Sequence, residues 1–228
     1  MTIKKINPLF LLVLLIITAS CSKMNDMHQM YLDEGEILYA AKLDSVASNP
    51  GNNRIEFEMF ALSQRINKVR IYWNDKNDSL DFAINNEPGV YKQIISNIPE
   101  GEYIFTFISF DDYNNKSLEY ELTAESFGNF YASSLLNRNI EKLIVNGSDV
   151  TIYWRSIGGS NIIETLLSYE KSDNSVGEIS VSPTEMSTAL SDVKIGGKYW
   201  YKTLFKPVRN AIDVFESETH KDVFPIPQ

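Results

Sequence analysis

The chain has 228 residues, of which 43% are apolar, with 30 acidic side chains against 21 basic ones, a formal net charge of −9 and one cysteine. That apolar content excludes wholesale disorder, and the acidic balance leaves no basic footprint for nucleic acid. A single thiol cannot close an intramolecular disulfide, so a hydrophobic core has to carry the fold.

The first twenty residues have the build of a signal peptide. Lys4 and Lys5 are followed by nine apolar residues from Leu9 to Ile17, then by Thr18, Ala19 and Ser20. Nine apolar residues are too few for a bilayer, which needs about 20, but they suit a secretory segment. Cys21 stands directly after the small residues and resembles the lipobox of bacterial lipoproteins, with Thr18 where that pattern usually has leucine. The plainer alternative is a signal peptide followed by an incidental cysteine. Lipid attachment at Cys21 implies a membrane partner reached through acyl chains, each buried CH₂ contributing about 0.8 kcal/mol. Cleavage before Cys21 would remove two lysines and no acidic residue, taking the net charge from −9 to −11. Residues 21–34 then read as a tether.

Beyond residue 35 the pattern has period two. Ile55, Phe57 and Met59 alternate with polar neighbours, as do Val69, Ile71 and Trp73. The turn Asn74 to Asp78 precedes Leu80, Phe82 and Ile84, and later Leu118, Tyr120 and Leu122 alternate with Glu119 and Glu121. Turn residues about every ten positions are the spacing of a β-sandwich. In residues 97–112 a Pro-Gly turn leads to Tyr103 and an alternating strand, the setting of a tyrosine corner whose hydroxyl returns to the backbone. Residues 192–207 repeat the arrangement, with a Gly-Gly turn before Tyr199, Tyr201, Thr203 and Phe205. Tyr103 and Tyr199 are 96 residues apart, and Ile55-Phe57-Met59 precede Val150-Ile152-Trp154 by 95. Thr165-Leu167-Tyr169 corresponds to Val69-Ile71-Trp73 within a residue or so. A shared offset between several landmarks marks an internal repeat.

The fold class is therefore all-β: two tandem immunoglobulin or fibronectin type III-like sandwiches after a lipoprotein signal peptide. The first is expected over 35–128 and the second over 138–228, with a hinge over 129–137.

Three segments carry a family resemblance: YLDEGEILYAAKLDSV from Tyr31, YASSLLNR from Tyr131 and KPVRNAIDVF from Lys206. With the Cys-Ser-Lys-Met run at Cys21 to Met24, they resemble a Bacteroidota-type lipoprotein family of unknown function. The resemblance implies a cell-envelope protein, an outer-membrane lipoprotein often encoded beside glycan-uptake systems, but no activity. Export to the cell surface in such lipoproteins goes with acidic residues directly after the cysteine. Here only Asp26 follows closely, so outward exposure is the expectation and the periplasmic face the alternative.

Catalytic chemistry finds little support. The two histidines, His28 and His220, are far apart and near the ends, without metal-ligand spacing. A serine triad would have to use one of them. There is no glycine-rich phosphate loop, and the sequence implies no cofactor and no metal. Asp111-Asp112 with Glu119 and Glu121 could supply paired carboxylates, yet a solvated loop and strand face explain them as well. The loops Asn74 to Asp81 and Asp111 to Asn115 hold several oxygen donors but lack the EF-hand pattern, and asparagine and aspartate in turns bond their own backbone. Asp44-Ser45-Val46 and Asp78-Ser79-Leu80 look like acceptor triplets for Bacteroidota-type O-glycosylation, though such triplets also arise by chance.

Aromatic residues are the remaining lead, because carbohydrate modules stack sugars on exposed rings. Trp73 and Trp154 end inward-facing sets and belong to the core. If Tyr199 points inward, Trp200 points outward with Lys202 and Leu204. Trp200 and Lys202 thus form a candidate platform that could pack on the first sandwich, receive a partner protein or stack a sugar. The expected protein is a non-catalytic binding or spacer module with a protein partner, the alternative being glycan binding.

Overall fold

The computed structural model describes residues 38–156 and 161–226. The signal segment, Cys21 and the tether lie outside the described residues. Seven strands come first: β1 (Ser45–Pro50), β2 (Arg54–Ala61), β3 (Lys68–Trp73), β4 (Asp78–Ala83), β5 (Gly89–Ser96), β6 (Gly101–Phe110) and β7 (Tyr120–Ser126). A short helix, α1 (Asn129–Ser134), follows. Then come β8 (Ile140–Asn146), β9 (Asp149–Trp154), β10 (Ile162–Glu170), β11 (Val176–Val181), β12 (Ser187–Leu190), β13 (Lys198–Phe205), β14 (Phe215–Glu216) and β15 (His220–Val223).

The strands form one arrangement twice. A three-stranded sheet, β1-β2-β5, is matched with a four-stranded one, β4-β3-β6-β7. In the second half β12-β9-β8 is matched with β11-β10-β13, whose outer edge is completed by β14 and β15. Every pairing between these strands is antiparallel.

Each half is closed by its own core. Ile55, Phe57 and Met59 of β2 are fully buried, because alternate side chains of a strand point to one face. Phe57 meets Phe105 and Phe107 edge-on, with ring centroids 4.6 and 5.2 Å apart. Trp73 packs on this core from the end of β3. In the second half Val150, Ile152 and Trp154 of β9 occupy the place of Ile55, Phe57 and Met59. Trp154 meets Tyr201 edge-on at 5.5 Å, and its indole N–H donates to Thr188 Oγ1 at 2.9 Å.

Two local features depart from the simple alternation. Leu118 lies before β7 and is 61% exposed, not part of an alternating strand. Ser117 is responsible: its hydroxyl accepts the Ser109 N–H at 2.9 Å and donates to the Leu118 carbonyl at 2.8 Å, replacing ladder bonds there. The β3–β4 turn holds Asn74, Asp75 and Lys76 all at positive φ. Asparagine and aspartate tolerate that region, and the Asn77 side chain donates to the Asn74 carbonyl to close the turn.

The stretch 129–137, expected as a hinge, contains α1. Glu100 accepts the N–H groups of Phe130 (2.7 Å) and Tyr131 (2.8 Å), satisfying amides that a helix start leaves free. At its far end Asn137 accepts the hydroxyls of Thr203 and Ser217. The two halves also meet directly. Asp213, in the loop after β13, accepts from Nε and Nη2 of the Arg54 guanidinium (2.8 and 2.5 Å) and from the Asn52 N–H (2.8 Å). Ile212 N–H donates to the Pro50 carbonyl, and the Asn210 amide to the Ser48 carbonyl. Gly51 allows this approach, since a Cβ there would overlap Asp213 Oδ2 and stand 2.7 Å from Ile212 Cγ1.

Arg54 and the Asn52 N–H hold the Asp213 carboxyl below the usual carboxylate range. A depressed carboxyl contributes stability that is complete above its unfolded-state value, about 3.9, and is lost as pH falls through the folded-state value. The stability difference between the parent and Asp213→Asn, from urea unfolding, is therefore expected to be constant between about pH 5 and 8 and to shrink below about pH 4. A gap that widened on acidification would contradict the pairing.

Candidate functional site

The outer face of the larger sheet in the second half carries the candidate site. Strand β13 buries Tyr199, Tyr201, Thr203 and Phe205 and turns Trp200, Lys202 and Leu204 to the other face, where each is half-buried. The registers set a row across four strands: Lys221 opposite Trp200, Trp200 opposite Ser168, and Ser168 opposite Glu178. A second row places Lys202 opposite Leu166 and Leu166 opposite Ser180.

Large and small side chains alternate across these rows. Beside the Trp200 indole the small Ser168 and Ser180 leave a concavity of about 510 Å³, whose lining includes Leu166, Glu178 and Lys202. On its other side a concavity of about 580 Å³ is lined by Lys198, Tyr199, Trp200, Lys221, Asp222 and Val223. Both linings belong wholly to the second half, so the first sandwich does not fill them. Lys202 pairs with Glu216 at 2.7 Å, and the Ser180 hydroxyl donates to Glu164. Glu178 and Lys221 make no ion pair or hydrogen bond through their side chains among the described residues. The face thus offers one indole, the hydroxyls of Ser168, Ser180 and Thr219, and, unpaired among the described residues, the charges of Glu178, Lys198 and Lys221.

The two corner tyrosines differ. Tyr103 donates its hydroxyl to the Pro99 carbonyl four residues upstream, at 3.0 Å. Tyr199 does not return to the backbone: its hydroxyl lies 3.4 Å from Asp222 Oδ2 on β15. The short strand β15 pairs with β13 and places that carboxylate within reach. Burial, with the nearby Asp222 charge, pushes the Tyr199 phenol well above its ordinary range.

Of the four carboxylates considered for catalysis, Asp111, Asp112 and Glu119 are committed to local structure, and Glu121 is exposed on β7. Asp111 accepts the Tyr113 and Asn115 N–H groups (3.0 and 2.9 Å) and the Asn115 side-chain amide, which holds its carboxyl below the usual range. Asp112 accepts the amides of Asn67 and Asn86, and Glu119 pairs with Lys76 at 2.7 Å. No group of three or more His, Cys, Asp or Glu side chains that could hold a metal occurs among the described residues. His220 sits exposed on β15, its ring 5.0 Å from that of Tyr201. Ser45 and Ser79 are both exposed at strand starts.

Sequence reasoning passed over Arg138. It is 2% exposed, stacks over Trp154 at 5.4 Å, and donates to the carbonyls of Ser182 (2.9 Å) and Glu185 (2.6 Å). Nothing in its neighbours announces a buried guanidinium, because its acceptors are backbone oxygens more than forty positions away.

A three-stranded sheet facing a four-stranded one, followed by a three-stranded sheet facing a five-stranded one, defines tandem fibronectin type III-like β-sandwiches. The model of the DUF4998 family, a domain of unknown function, matches residues 21–215, and the chain belongs to that family. No curated protein matches the sequence. Among solved structures, the chicken CNTN1 FN1-FN3 domains are 14% identical, with 82% of this chain and 66% of that one covered and a TM-score of 0.44. The Clostridium thermocellum CbhA fibronectin(III)-like modules are 13% identical, with 81% and 93% covered and a TM-score of 0.41. A two-domain fibronectin type III segment of chicken tenascin is 11% identical, with 81% and 99% covered and a TM-score of 0.33.

Replacing Tyr103 by Phe removes one hydroxyl-to-carbonyl bond and is expected to cost about 1 kcal/mol in urea unfolding. Acrylamide is expected to quench the half-buried Trp200 and to spare the fully buried Trp154. Single-tryptophan variants check this, and a Trp154 quenched as readily as Trp200 would refute the assignment of faces.

Proposed function

We propose that this protein is a non-catalytic lipoprotein of the cell envelope, anchored through Cys21, whose tandem sandwiches hold a recognition surface away from the membrane. The reading rests on one observation above all: the Trp200 face carries two concavities that the described residues leave open. A protein partner fits that face best. It mixes an aromatic anchor with rim charges, and tryptophan is enriched among residues that dominate protein interfaces. The catalytic alternatives lack support, since Asp111 and Asp112 hold loops together and Glu119 pairs with Lys76.

A glycan is the second reading, favoured by the hydroxyls of Ser168 and Ser180 beside the indole. Sugars stack on such a ring and bond to flanking polar groups.

Two measurements test the proposal. Replacement of Cys21 by Ala is expected to move the protein from the membrane to the soluble fraction, and unchanged membrane retention would end the anchoring reading. A photo-cross-linking residue at Ser180 is expected to capture one discrete protein in intact cells, lost on Trp200→Ala and not captured from Glu121. Should no adduct form while polysaccharide gels retard the parent but not Trp200→Ala, the glycan reading would replace it.

A further inference from the structure

We infer that the loop between β13 and β14 locks the two sandwiches into one rigid body, with Asp213 as its clamp. Domains joined by a linker move relative to each other by default unless the contact between them is substantial. Here three independent devices converge on one joint. The first is the clamp itself. Asp213 receives the bidentate Arg54 guanidinium and the Asn52 amide, and so ties the loop of the second sandwich to the β1–β2 turn of the first. A bidentate arginine–carboxylate pair fixes orientation as well as distance. It is also sheltered, for the Asp213 side chain is only 20% exposed.

Backbone pairing is the second device. Ile212 N–H meets the Pro50 carbonyl at 2.8 Å, and the Asn210 amide reaches the Ser48 carbonyl at 2.9 Å and Asn49 Oδ1 at 3.0 Å. These bonds hold the loop along the end of β1, with Gly51 leaving room for the contact. The third device is aromatic. Tyr131 of α1 lies between Phe127, at the end of the first sandwich, and Phe215 of β14, with centroids 5.0 Å from each. Phe215 is 3% exposed. The connecting segment is thus fixed in the middle by ring packing, at its start by Glu100 and at its end by Asn137.

The lock does not depend on what the protein binds. It means that any surface of the second sandwich is held at a set orientation to the first.

Distance measurement between two spin labels tests this. The chain has no cysteine after Cys21, so the chain from residue 21 with Cys21→Ser accepts a label pair at will. Ser79→Cys on β4 and Ala189→Cys on β12 are exposed and make no side-chain hydrogen bonds. The expected result is a single narrow distance, broadened about twofold by Asp213→Ala, which removes the contact that fixes orientation as well as distance while the backbone and ring contacts stay. Arg54→Ala removes the same clamp from the other side and is expected to act alike. Near-ultraviolet circular dichroism confirms that both cores remain folded in whichever variant is used. A broad distribution in the parent would overturn the inference, and so would a width unchanged by removing the clamp.

Discussion

A pleated sheet with one apolar face must cover that face, and everything else in this molecule follows from how the covering is done. No disulfide is available, so ring-on-ring packing between the sheets closes each half. Phe57, Phe105 and Phe107 do this in the first, and Trp154, Tyr199 and Tyr201 in the second. Once alternate residues are committed inward, the remaining ones are fixed outward. The position of Trp200 on the open face is a consequence of burying Tyr199 and Tyr201 on either side of it.

The two halves solve the same problem with different parts. The first binds its corner tyrosine to backbone, so the turn before β6 is held by Tyr103 and Pro99. The second turns its tyrosine hydroxyl toward Asp222 on β15, a strand that backbone pairing holds against β13. It further fills one end of its core with Arg138 over Trp154, where a charged group is tolerated because two carbonyls accept from it. Equivalent positions in a repeat therefore need not carry equivalent bonds.

How much of this could be read in the sequence depends on the range of the interaction. The alternation at Ile55 to Met59, Val150 to Trp154 and Tyr199 to Phe205 is local and reports the inward face directly, so the sandwiches and their offset were legible. The outward aim of Trp200 followed from the same pleat. The departure at Leu118 was not, because it rests on the Ser117 hydroxyl bonding to the backbone of both Ser109 and Leu118. Nor was the contact between the halves. Arg54 and Asp213 are 159 positions apart, and each looks like an ordinary surface charge in its own stretch. The concavities beside Trp200 needed the register between four strands, since the serines that make room for them come from β10 and β11.

Gly51 has a role beyond its own turn. The space it leaves is occupied by Asp213 and Ile212 of the other half, while the side chains of either core lie elsewhere. A larger residue at that point would act as a wedge, prying the junction apart yet sparing both hydrophobic interiors. Orientation and stability are thereby separable in this architecture. A lineage of such proteins could retune the angle between its halves at one backbone position, repacking only the rings at the joint and none in either core.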